Sequence, residues 1–206
     1  MRTLAIDSAT AACSVALLDG EALVAGDCAV LGRGHAERLV PMIAALPDRG
    51  RADRICVSLG PGSFTGVRVG LAAARALALA WKADILGFPT LELVAAMARR
   101  DRGDRPVTVA MTGGHGEWFV QRFTSAARPA GPLTSLRPED AVTASTDDLI
   151  AGSEADAFVA LRGHGTALPL LPDTRALPLL PPMALTRALQ PLYGRAPDAR
   201  LPVAAR

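Results

Sequence analysis

The sequence predicts an α/β fold, a mixed sheet with flanking helices, in two lobes of which the second is reduced. Three observations carry this reading. Apolar runs at 3–6, 12–18 and 21–30 follow one another closely, and Asp19-Gly20, a tight-hairpin dipeptide, separates the last two. Strand-like runs at 55–59 and 84–87 then alternate with stretches whose apolar residues recur at helical spacing. Beyond Arg100 the chain turns first charged and then rich in Pro and Ala. An antiparallel meander followed by alternating β and α builds a mixed sheet covered by helices.

The elements follow in order. Residues 3–6, 12–18 and 21–30 are three antiparallel strands. Residues 35–46 carry apolar side chains at 39, 40, 42, 43 and 46, a helix that either starts late at Pro41 or is kinked there. Ile55 to Leu59 is a fourth strand. Gly60-Pro61-Gly62-Ser63-Phe64-Thr65-Gly66 is a tight loop leading into a small-residue helix from Val67 to Trp81. Asp84 to Gly87 is a fifth strand, and Thr90 caps a helix running to Arg100. The charged segment 99–106 marks the lobe boundary, dividing the chain into 1–103 and 104–206. Residues 107–111 and 117–123 read as strands. The repeated Ala-Leu-Pro-Leu-Leu at 167–171 and 176–180 reads as two short strands or as coincidence, and 183–189 as a last short helix.

Composition narrows the function classes. At about 150 residues per domain, 206 residues make one large domain or two small lobes. Hydrophobic residues are 50% and charged residues 20%, a globular balance that excludes long disorder, collagen and coiled coil. The net charge of +2 is far from that of an autonomous nucleic-acid binder. Cys13, Cys28 and Cys56 are odd in number and without C-x-x-C spacing, so they read as buried free thiols of a reducing compartment. The apolar start stops at Asp7, too short for a signal peptide core, and 69–81 is interrupted by Arg75 and too short to span a bilayer. A cytoplasmic protein with no membrane contact is expected.

Three stretches carry a family resemblance: Arg2-Thr3-Leu4-Ala5-Ile6-Asp7-Ser8-Ala9-Thr10-Ala11-Ala12-Cys13-Ser14-Val15-Ala16, His35-Ala36-Glu37-Arg38-Leu39-Val40-Pro41, and Gly60-Pro61-Gly62-Ser63-Phe64-Thr65-Gly66-Val67-Arg68-Val69-Gly70. Together they closely resemble the TsaB family, formerly YeaZ. The resemblance runs over residues 1 to about 97. Beyond that it rests on Gly116-Glu117 and on Pro191-Leu192-Tyr193-Gly194-Arg195. It implies the actin/hexokinase/Hsp70-like (ASKHA) fold, to which the β-β-β-α-β-α-β-α order also points. It further implies a non-catalytic dimerisation subunit. The implied partners are a TsaD-like catalytic subunit, a TsaE-like ATPase and, when alone, a second copy. The implied reaction is N6-threonylcarbamoylation of adenosine 37 in tRNAs that read ANN codons, with tRNA met only through the complex. Where relatives carry Asp-Ala-Arg ahead of Gly-Glu, this chain has Thr112-Gly113-Gly114, so both charges are missing.

Two sites are expected. Active members of the fold read D-x-G-x-T at the first phosphate loop, whereas here Asp7-Ser8-Ala9-Thr10 puts a Cβ where the backbone should approach a phosphate. With Gly60, Gly62 and Ser63 ahead of a helix, Asp7, Ser8 and Thr10 form at most a vestigial loop for weak nucleotide or phosphate contact. The glycine loop is neither a Walker loop nor a hydrolase elbow. His35, His115 and His164 have no helical metal-site spacing, so no metal and no catalytic residue is assigned. The second expected site is a partner interface. Gly66, Gly70, Ala73, Ala74, Leu77 and Ala80 recur at three- and four-residue steps, a ridge that lets another helix approach with Gly70 near its centre. His35, Leu39, Met42 and Ile43 of the preceding helix join that interface. The competing reading is a small kinase or ATPase of the same fold, disfavoured by Ala9. A peptidase reading finds no nucleophile–base pair.

Overall fold

The computed structural model describes residues 1–194. Its first sheet has the order β3-β2-β1-β4-β5, built from β1 (Arg2–Asp7), β2 (Ala12–Asp19), β3 (Ala22–Val30), β4 (Arg54–Ser58) and β5 (Asp84–Phe88). β1, β2 and β3 pair antiparallel, with Gly20 at φ +60° in the turn that Asp19-Gly20 predicts. β4 and β5 add parallel strands. The crossovers are α1 (His35–Ala45) and α2 (Phe64–Trp81), and α3 (Thr90–Arg102) follows β5.

The second half repeats this plan. β6 (Val107–Thr112), β7 (Trp118–Phe123), β8 (Thr134–Leu136), β9 (Leu149–Ala151) and β10 (Thr166–Leu168) lie in the order β10-β9-β6-β7-β8. β6, β7 and β8 form an antiparallel meander, and β9 and β10 join in parallel through α4 (Pro138–Thr143) and α5 (Ala155–Arg162). Counted within each half, the strand order and directions are the same. Two mixed sheets of this one plan, each with its helices, are the architecture of the actin/hexokinase-like fold. The second copy is reduced, since three of its strands have three residues each.

Alternation places the core. Leu4, Ile6, Val15 and Leu17 face α1 and α2, while Ala5, Ala16 and Leu18 face α3 and the C-terminal segment. α3 is a wedge: Leu93, Ala96 and Met97 pack on the first sheet, and Leu91, Val94, Ala95 and Ala98 on the second. Cys13 and Cys56 are buried free thiols, and burial pushes both up to about 11.

The structure corrects several expectations. α1 begins at His35 and continues past Pro41 to Ala45, so the helix does not start late at the proline. α2 begins at Phe64, capped by Ser63, and at 18 residues with a mean hydropathy of 1.2 it has the length and composition of a short membrane span; six of its residues are instead buried in the fold. Thr90 is the first helical residue rather than the cap, and its Oγ1 pairs with Ser58 Oγ at 2.5 Å. Residues 176–179 lie in a 3₁₀ turn, Thr174–Leu179, whose N-terminus Asp173 caps, and not in a strand. The helix expected over 183–189 shrinks to one turn at Pro182–Ala184, after which Thr186 pairs with Gly87 at the edge of the first sheet. Residues 174–192 thus return to the first half, where Leu192 N–H donates to Leu59 O at 2.8 Å. Arg195 lies outside the described residues.

Candidate functional site

The two loops of the expected phosphate site close on each other. Ser63 N–H donates to Ala9 O at 2.6 Å, Gly66 N–H to Ser63 Oγ at 3.3 Å, and Gly60 N–H to Ser58 Oγ at 3.1 Å. A Cβ at Gly62 would fall 2.0 Å from Ala9 O, and one at Gly66 would fall 2.1 Å from Ser8 O. The glycines therefore let two backbone segments touch, and three of the loop's amides are already engaged. The amides of Gly60 and Ser63, two of the positions expected to cradle an anion, are thus spent within the protein. Asp7 is fully buried beneath the junction. Its Oδ1 accepts from Ala9 N–H at 2.8 Å, its Oδ2 has no partner, and burial pushes its carboxyl up to about 7. Ser8 Oγ donates to Gly66 O at 2.9 Å. Of the loop residues Thr10, Gly62 and Ser63 reach the open space beside them; the side chains of Asp7 and Ser8 do not.

That space is a cleft of about 740 Å³ between the halves. Thr10, Ser63 and Arg68 line it from the first half, Met111, Thr112 and Phe119 from the second, and Leu192 and Tyr193 from the returning C-terminal segment. Thr112-Gly113-Gly114 lies in the wall, so the charges absent from this stretch are absent from the cleft. Thr112 Oγ1 instead donates to Glu154 Oε1. Sequence reasoning missed the cleft, whose walls come from three distant segments.

The expected interface residues divide. Leu39, Met42 and Ile43 are buried in the chain's own core, as are Gly66, Gly70 and Ala74. A Cβ on Gly70 would lie 2.7 Å from Ser8 Oγ and 3.6 Å from Val57. Gly70 thus faces β1 and β4, which removes it from the centre of any partner contact, whereas Ala80 of the same ridge is exposed. His35 is buried at the start of α1 with Nε2 unpartnered. Ala73 and Leu77 are half-buried. The surface these helices do present is a neighbouring one: Val40, Pro41, Ala44 and Ala45 on α1, and Ala72, Ala76, Leu79 and Ala80 on α2. Leu79 is 84% exposed and Val40 60%. Spacing alone does not tell which face of an almost wholly apolar helix meets the sheet. Among the described residues no group of three His, Cys, Asp or Glu side chains could hold a metal.

The same arrangement occurs in known proteins. A family model described as TsaD, tRNA N6-adenosine threonylcarbamoyltransferase, matches residues 29–133. The Bacillus subtilis tRNA threonylcarbamoyladenosine biosynthesis protein TsaB is 30% identical over 174 residues, covering 82% of this chain and 73% of that protein. The chain belongs to the TsaB family. The Escherichia coli TsaB is 38% identical over 128 residues, 60% of this chain, and the match spans only 55% of the E. coli protein's length. The solved structure of YeaZ from Pseudomonas aeruginosa superposes with a TM-score of 0.77 at 29% identity, over 93% of this chain and 99% of that one. That YeaZ structure thus shares with this chain the pair of mixed sheets and the helices over them.

Proposed function

We propose that this chain is a non-catalytic subunit that binds a TsaD-like catalytic partner in the N6-threonylcarbamoylation of adenosine 37 of ANN-decoding tRNA. One observation carries the reading: α1 and α2 pack on each other and leave a run of apolar side chains exposed, interrupted by the charges of Arg38 and Arg75. Val40, Pro41, Ala44 and Ala45 on α1 and Ala72, Ala76, Leu79 and Ala80 on α2 are all exposed, and apolar side chains left open on two neighbouring helices mark an interaction surface. Small side chains on both helices suit close packing against two helices of a partner, and the same face serves a second copy when the partner is absent. A TsaE-like ATPase joins as a third component. We place the division after residue 103, with residues 174–192 packing back on the first part and the interface wholly in that part. The closed junction over Asp7 and the engaged loop amides support an inactive first phosphate site, without cofactor. The competing reading, a small kinase or ATPase, requires that site open.

Mixing the purified chain with TsaD from the same organism and measuring mass by light scattering tests this reading. A stable heterodimer of wild type that Leu79→Asp abolishes is expected. A wild-type chain that stays monomeric and hydrolyses ATP would favour the competing reading.

A further inference from the structure

At the mouth of the cleft, three side chains from two distant segments form one cluster. Arg68 Cζ sits 3.2 Å from the Phe64 ring centroid and 5.8 Å from that of Tyr193. The rings lie 6.5 Å apart at an interplanar angle of 29°. Arg68 Nη2 donates to Tyr193 Oη at 2.8 Å, and Nη1 donates weakly to Phe64 O at 3.4 Å. No carboxylate comes within ion-pair distance of Arg68 among the described residues. The guanidinium is therefore oriented by its ring and hydroxyl partners and is not neutralised by any described carboxylate. Phe64 is 66% exposed and Tyr193, the chain's only tyrosine, 51%. Holding the C-terminal segment against α2 explains the hydrogen bond, but it does not explain two aromatic rings left open to solvent beside a largely apolar cleft.

We propose that this cluster takes one unpaired nucleotide of an RNA strand, its base stacked on Phe64 and Tyr193 and its phosphate beside Arg68. The inference rests on the tRNA-modification reading for the choice of RNA. Ring faces and a fixed cation complement a planar ring that carries an anion, and a nucleotide holds both in one unit. A peptide carboxylate would satisfy the arginine and leave the rings uncovered. The other titratable side chains lining the cleft are His115 and Glu117, both on the second-sheet side, where Ser135 Oγ donates to Glu117 at 2.6 Å. A single cation gives weak binding by the chain alone, with Kd of about 10⁻⁴ M, at the weak end of non-specific binding. Within a complex that already holds the RNA, the contact becomes intramolecular and gains from effective concentration.

The test uses the full chain and a fluorescent octa-adenylate RNA, by ultraviolet cross-linking with peptide mapping and by anisotropy titration. Cross-links are expected on the peptides containing Phe64 or Tyr193. Phe64→Ala/Tyr193→Ala should weaken binding about tenfold or more, with an unchanged circular dichroism spectrum. Tyr193→Phe should keep most of the affinity, because it keeps the stacking ring. Cross-links confined to other segments, undiminished binding by the double variant or no wild-type binding would overturn the proposal. So would AMP competing as well as the octamer, which would make the site one for free nucleotides. The light-scattering assay with the catalytic partner reads the subunit reading separately, since neither Phe64 nor Tyr193 belongs to the α1–α2 contact residues named above.

Discussion

Ser8 and Gly66 are stapled to each other through both chains of atoms: Ser8 Oγ donates to Gly66 O at 2.9 Å, while the Gly66 Cα approaches so closely that a Cβ would stand 2.1 Å from Ser8 O. This contact fixes the start of α2 on the end of β1.

Gly66→Ala should therefore destabilise the fold by about 1–3 kcal/mol or more, as overpacking does where the obstructing atom is backbone. Gly70→Leu should act likewise, since its first neighbour is Ser8 Oγ at 2.7 Å. Urea unfolding followed by circular dichroism measures both. Wild-type midpoints would place the ridge on an outer surface.

Asp7 sets a pH dependence. Its carboxyl is raised from 3.8 to about 7 by burial, so between those values the folded state holds a proton that the unfolded state has released. Stability should then fall as pH rises from about 4 to 7, by at most about 4 kcal/mol at about 1.36 kcal/mol per pH unit. Asp7→Asn should remove this slope and raise the melting temperature at pH 7.5. Melting curves at pH 5 and 7.5 for both proteins check the sign.

Asp147 has the opposite behaviour. Burial pushes its carboxyl up, but hydrogen bonds from Arg122 and Thr108 outweigh this and hold it below its ordinary value. Its contribution is present above pH 3.8 and is lost as pH falls through its lowered folded value. Asp147→Ala leaves Thr108 and Arg122 without their shared acceptor. It should cost about 1–3 kcal/mol at pH 7, read from urea midpoints, and much less at pH 2.

The first half was legible because its strands are long, its turns carry Asp-Gly and glycine signals, and its helices have clear periods. β8, β9 and β10 were not, because three residues show no alternation. α4 and α5 left fainter marks that could have been read: Pro138-Glu139-Asp140 opens one in the manner of a helix N-terminus, and Gly163 at φ +82° closes the other. The two helices α1 and α2 were legible but their phase was not, since Gly70 and Ala76 are both small and only the sheet decides between them. Phe64 and Arg68 stand four residues apart on α2, a spacing visible in sequence. Tyr193, which completes their cluster from 125 positions beyond Arg68, was visible only in the fold.

The central claim is that the outward face of α1 and α2 binds the catalytic partner. Isothermal titration of TsaD from the same organism into wild type, Leu79→Asp and Ala76→Arg tests it most directly. Both variants should keep the wild-type melting temperature, because both positions are exposed, and both should lose at least about tenfold in affinity, the signature of an interface centre. Wild-type affinity in both variants would contradict the account.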